Sequence, residues 1–162
     1  LMMGTRSGAL DPGVLLYLME QGWDHDRIQK LLYKQSGLLG VSGESADMRT
    51  LRASAASGSE TARFATDLFV HRVVREVGAL SACIGGLDVL AFTGGIGEHD
   101  VVLRQQVCEA LHYLGVHIDT KRNASAKGDS VCAIHADNSK IEVWVVPTDE
   151  GRVAAQDALA FL

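Results

Sequence analysis

The chain has 162 residues, 47% hydrophobic and 22% charged, the size and composition of one globular domain with room for a core. Its net charge of −5, with no basic block, argues against nucleic acid or an anionic membrane as a partner, and neither a signal peptide nor a membrane-spanning apolar run is legible. Cys83, Cys108 and Cys132 are too far apart for metal-ligand spacing and form no even disulfide set, so they read as reduced thiols of a cytoplasmic protein.

The chain opens at Leu1-Met2-Met3-Gly4-Thr5-Arg6-Ser7-Gly8, already inside a loop motif, so a piece of a longer protein is expected. Asp11-Pro12 reads as cap and first residue of a helix whose apolar face is Val14, Leu15, Leu18 and Met19, stopped by Gly22. Asp24 caps a second helix, with Ile28, Leu31 and Leu32 inward and Gly37 at its end. Residues 37–49 are rich in small residues and read as an irregular, ligand-lining loop, followed by a short helix over 50–56. Ser59 starts the longest helix, with a stripe of Ala65, Phe69, Val73, Val77, Leu80 and Ile84 that ends at Gly85-Gly86. Residues 87–92 read as a strand buried on both faces. A glycine-rich turn follows, then a helix from Asp100 to Leu114. A short strand at 116–118, a polar loop at 121–128, a hairpin of 131–134 with 141–146, and a last helix from Pro147-Thr148-Asp149-Glu150 to Leu162, with Val153 and Ala154 inward, complete the order.

The turn Phe92-Thr93-Gly94-Gly95-Ile96-Gly97-Glu98-His99 carries the most chemistry. Glycines let a backbone approach a phosphate or nucleotide closely, and a helix N-terminus adds partial positive charge. No lysine follows Gly97, which excludes a Walker loop, and Asp100 stands where a dinucleotide fingerprint needs its last glycine. Read alone, the turn is equally a βα connection with no ligand. By the same local reading Arg6 is a solvated loop arginine, Asp47 a helix cap, Arg49 a surface arginine and Glu150 an acid complementing a helix N-terminus.

Four segments in order resemble the motifs of the acetate kinase family, in the superfamily of sugar kinases, actin and heat-shock chaperone ATPases. They are residues 3–8 with Asp11-Pro12-Gly13, residues 42–49, residues 92–98 and residues 147–150. The resemblance spans the chain and implies an actin-like, ribonuclease-H-like α/β fold, helix-rich with a small mixed sheet. The expected domain assignment is residues 1–162 as the C-terminal nucleotide-binding part. The implied reaction is reversible phosphoryl transfer from ATP to acetate, giving acetyl phosphate and ADP, with Mg²⁺. Arg6 then matches the active-site arginine, whose planar donors suit the charge of a transferring phosphoryl group. Glu150 matches the Mg²⁺-associated glutamate, and Gly151 departs from the usual second acid. Asp47, Met48 and Arg49 match residues bordering the adenosine, as do Gly94, Gly95, Ile96 and Gly97. His99 stands where the family has Asn. The resemblance also implies a cytoplasmic homodimer, and an isolated chain without turnover because the acid-binding residues are expected elsewhere. Propionate or butyrate kinase, a non-catalytic nucleotide-binding module and a dimerisation piece are the alternatives.

Overall fold

The computed structural model describes residues 1–159, without the side chains of Glu150, Val153 and Ala154. The last turn expected to reach Leu162, and the inward placement of Val153 and Ala154, lie outside the described residues. The chain divides into two compact units, one of Leu1–Cys83 and one from Ile84 onward.

The first unit is helical. α1 (Pro12–Glu20) and α2 (His25–Lys34) start where the capping pattern places them: Asp11 accepts from Gly13 N–H at 2.7 Å and Asp24 from Arg27 N–H at 2.8 Å. The apolar face expected on α1 is not covered. None of its residues is buried, because no helix among the described residues packs broadly against it. The core is built instead by α3 (Gly37–Ser42) and α4 (Met48–Ala56), both packed on α5 (Glu60–Cys83). Leu38, Leu51, Ala62 and Ala65 meet there with no exposed surface.

Two expectations change in this unit. The loop expected from residue 37 is a helix in its first six residues. Its opening N–H groups are satisfied from outside, Leu38 N–H donating to Met3 C=O at 2.9 Å and Leu39 N–H to Gly4 C=O at 3.0 Å. Such partners remove the cost of a short helix end and are invisible to local propensity. The stripe expected along α5 also ends early: apart from Ser81, burial stops at Val70, and Leu80 and Ile84 are 62% and 71% exposed.

The second unit is a three-stranded sheet in the order β1 (Val89–Phe92), β3 (Glu142–Val145), β2 (Cys132–Ala133). β1 runs parallel to β3 with Leu90 opposite Val143, and β2 and β3 form the expected antiparallel hairpin. The strand expected at 116–118 is a single bridge, Ile118 to His135. β1 is not buried on both faces. Among the described residues it pairs only with β3, and Val89 is 51% exposed.

In chain order α6 (Gly94–His99), α7 (Val101–Ala110) and α8 (Thr120–Ser125) lie between β1 and β2, with a 3₁₀ turn over His112–Leu114, and α9 (Glu150–Leu159) follows β3. The polar loop expected at 121–128 is thus largely helical. Asp119 caps α8 by accepting from Lys121 and Arg122 N–H, each at 2.9 Å. No helix among the described residues is long and apolar enough to cross a membrane.

Candidate functional site

Each unit brings two of the four motifs together. In the first, the arginine loop lies against the segment at 42–49: a Cβ added to Gly4 would stand 2.9 Å from the Ala46 carbonyl oxygen. The loop is seated on α3. Gly37 has φ +63°, and a Cβ there would lie 2.1 Å from Met3 O and 2.8 Å from Arg6 O, so only glycine fits. Met3 N–H donates to Arg6 C=O at 3.2 Å, and Ser36 N–H to Thr5 C=O at 2.9 Å. The backbone of Arg6 is therefore fixed, while its side chain is exposed, 5.1 Å from the Tyr33 ring centroid. No carboxylate among the described residues pairs with it.

The 42–49 segment is ordered by its own polar groups. Buried Ser42 accepts from Glu44 N–H at 3.1 Å and Ser45 N–H at 3.3 Å, and Ser45 Oγ accepts from Asp47 N–H at 3.0 Å. Glu44 accepts from Thr61 Oγ at 2.8 Å and from Ser59 Oγ, tying the segment to the start of α5. Met48 is buried in the core, so its side chain serves packing. Asp47 caps α4, accepting from Arg49 N–H at 2.7 Å and from Thr50 N–H at 3.3 Å, and pairs with Arg49 Nη2 at 2.9 Å.

The Arg49 guanidinium and the two backbone donors lower the Asp47 carboxyl to about 2. A depressed carboxyl stabilises the folded state fully above its ordinary range near 4 and loses that effect as pH falls through the folded value. The expected result is an Arg49 amide shift that titrates near pH 2 in an NMR series, moving upward in Arg49→Ala. A wild-type midpoint near 4 would contradict the pairing.

In the second unit the glycine turn and the Pro147–Glu150 loop leave the carboxyl ends of neighbouring parallel strands, β1 and β3. One carboxylate oxygen joins them. Glu98 Oε1 accepts from Gly94 N–H at 2.8 Å, from Thr148 N–H at 2.9 Å and from Thr148 Oγ at 2.8 Å. The side chain is buried, and the Thr148 donors, with Gly94 N–H, hold its carboxyl below the usual carboxylate range. It therefore stays ionised at the N-terminus of α6, where an anion is favoured.

The opposite end of α6 is held by Arg104, a fully buried guanidinium on α7. Its Nη1 donates to Gly97 C=O at 3.0 Å and Glu98 C=O at 2.7 Å. Its Nη2 donates to Asn123 C=O at 3.0 Å and Ala126 C=O at 3.1 Å, and its Nε to Asn123 Oδ1 at 2.7 Å. All five donors are used, mostly on carbonyls at the ends of α6 and α8, which favours a cation there. Desolvation lowers the Arg104 pKa, and Asp100 opposes the shift. Asn123 completes the frame by donating to Val101 C=O at 3.0 Å. Sequence reading passed over Glu98, Arg104 and Asn123 as site-forming residues. The only sequence signal was a charged residue at inward spacing on α7, beside Leu103 and Val107.

This frame decides what the turn suits. The first N–H of α6 is already taken by an ionised carboxylate, so a phosphate in that place would meet like charge. Gly94 has φ +72°, and a Cβ on Gly94 or Gly95 would meet nothing within 4 Å. Packing gives no reason for Gly95, and the space beside it is open. The Nδ1 of His99 donates to Lys127 C=O at 2.8 Å, and the ring lies against Gly128. The Glu150 side chain lies outside the described residues. Cys108 is inert, its thiol pushed up to about 12 by burial. The described residues hold no cluster of three or more His, Cys, Asp or Glu residues suited to a metal.

The profile of the acetokinase family matches residues 1–156. The acetate kinase of Rhodopseudomonas palustris (strain ATCC BAA-98 / CGA009) is 52% identical over 157 residues, covering 96% of this chain and 38% of that protein. The crystal structure of Porphyromonas gingivalis acetate kinase superposes with a TM-score of 0.89 at 43% identity, covering 99% of this chain and 40% of that one. A propionate kinase from Francisella tularensis subsp. tularensis SCHU S4 superposes with a TM-score of 0.85 at 38% identity, over 97% and 40%. The chain thus spans about two fifths of the relatives it matches. Its helix-rich architecture with a small mixed sheet is the actin-like ATPase fold of those kinases. With all four motifs inside the matched range, the chain belongs to the acetokinase family.

Proposed function

We propose that the chain supplies the nucleotide-binding portion of an acetate kinase, which moves the γ-phosphoryl group of ATP to acetate, giving acetyl phosphate and ADP, and runs in reverse to make ATP. The observation that carries this reading is the meeting of the glycine turn and the Thr148 loop, through Glu98, at the carboxyl ends of β1 and β3. Open α/β sheets hold ligands beyond those strand ends. Gly94, Gly95, Ile96 and Gly97 would receive the adenosine. On the first unit Asp47 and Arg49, each already engaged with the other, are the candidate nucleotide contacts that the family motif suggests. His99, a weaker candidate for the same ligand, has its Nδ1 engaged with Lys127 C=O.

Arg6 would stabilise the charge of the transferring phosphoryl group. Glu150, which the family resemblance matches to the Mg²⁺-associated glutamate, would be the carboxylate for a hard cation such as Mg²⁺. The cation would neutralise phosphate charge when bound. The acid itself is a separate matter, since the four motifs bear on nucleotide and phosphoryl group. Propionate is the second reading, favoured by the likeness to the Francisella propionate kinase. A homodimer is supported by the uncovered apolar residues of α1, Leu16, Tyr17 and Met19. Three free thiols suit the cytoplasm.

Gly95→Val tests the nucleotide reading. A Cβ there meets nothing within 4 Å beyond its own helix, so the thermal midpoint should hold within a few degrees. ADP affinity, measured by calorimetry, should fall at least about tenfold because the side chain fills ligand space. Unchanged affinity with the fold intact would contradict the reading.

A further inference from the structure

We propose that Glu98 is a positioning residue that makes the Thr148 loop respond to what binds at the glycine turn. This rests on the nucleotide reading of that turn. The two segments are 50 residues apart in sequence, and a single buried oxygen, Glu98 Oε1, takes the N–H of Gly94 and both donors of Thr148.

The geometry makes this a coupling and not a simple brace. Gly94 N–H and Thr148 N–H share one acceptor at 2.8 and 2.9 Å, so a shift of the carboxylate changes both bonds together. The carboxylate cannot re-form these bonds with water without leaving its buried site. Glu98 also belongs to the helix it caps, so movement of α6 moves its carboxylate. Arg104 holds the far end of α6 through the Gly97 and Glu98 carbonyls, leaving the N-terminal end as the part free to adjust. A ligand that orders the turn therefore orders Thr148 through this oxygen, and with it the loop that leads to Glu150. Thr148 supplies two of the three donors, so the loop is the more dependent partner.

The test is backbone amide hydrogen exchange on the 162-residue chain, with and without saturating ADP, for wild type, Glu98→Gln and Val107→Ala. Gln keeps an acceptor oxygen but loses the charge and so weakens all three bonds. Val107→Ala removes buried volume from the same unit, away from the turn, and controls for lost stability. In wild type, ADP should slow exchange at the 94–97 amides and, by about tenfold or more, at Thr148. The Thr148 response should largely vanish in Glu98→Gln and persist in Val107→Ala. Protection of the turn without protection of Thr148 in wild type would overturn the inference and leave the nucleotide reading standing. Thr148 protection that survives in Glu98→Gln, or is lost equally in Val107→Ala, would also overturn it. If Glu98→Gln fails to fold, the wild-type comparison still overturns the inference when Thr148 is not protected. No ADP protection anywhere in the turn would overturn the nucleotide reading and this inference with it.

Discussion

Replacing Arg104 with methionine is expected to cost about 3–5 kcal/mol, because it leaves several buried acceptors unsatisfied at roughly 1–3 kcal/mol each, less than additively. Methionine keeps most of the length and apolar volume and deletes all five donors. The carbonyls of Gly97, Glu98, Asn123 and Ala126, with Asn123 Oδ1, then lose a charged partner in a place where water does not replace it. Each such bond is worth roughly 1.5–3 kcal/mol, and they do not add in full. A loss of this size is a large part of the stability of a small domain, typically about 5–15 kcal/mol. Lysine should not rescue it, because three donors on a point charge cannot serve five acceptors spread over two helix ends. Trp144 lies in the second unit and Trp23 in the first, so urea unfolding followed by fluorescence in a Trp23→Phe background reports the affected unit. A free-energy change below about 0.5 kcal/mol would show that the buried guanidinium is not the keystone of this unit.

Arg104 also marks where sequence reading stops. The caps at Asp11 and Asp24 and the hairpin follow from local chemistry, whereas the segment expected as a glycine-rich turn is helical over Gly94–His99. The helix at 37–42 depends on carbonyls of Met3 and Gly4, more than thirty residues away, and was legible only as a loop of small residues. The helix at 120–125 has no apolar stripe, and its inward residue is Asn123, buried because Arg104 needs its oxygens. The stripe on α5 and the apolar face of α1 were legible as patterns, but which of those residues are covered depends on packing. At the candidate site the motif residues were visible. The frame that holds them, Glu98 with Thr148 and Arg104 with Asn123, was not, because a buried charge is recognised by its partners and not by its spacing.

The second large effect concerns Arg6. Its backbone is fixed by the close fit of the loop over Gly37, and its guanidinium is exposed with no carboxylate paired to it among the described residues. An unneutralised guanidinium on a fixed backbone suits a transferring phosphoryl group, because catalysis there is mainly positioning and charge stabilisation. Arginines in that role are worth roughly a thousandfold or more in rate. Arg6→Lys should recover little, since a point charge lacks the planar fork. The measurement is acyl-phosphate formation from acetate, ATP and Mg²⁺ by a chimera in which this chain replaces the matching 40% of Porphyromonas gingivalis acetate kinase. The expected result is turnover in the wild-type chimera, a loss of about a thousandfold in Arg6→Ala, and ADP affinity that changes by less than about threefold. Wild-type turnover in the Arg6→Ala chimera, or a correctly folded chimera that binds ADP and makes no acyl phosphate, would contradict the assignment of this chain to phosphoryl transfer.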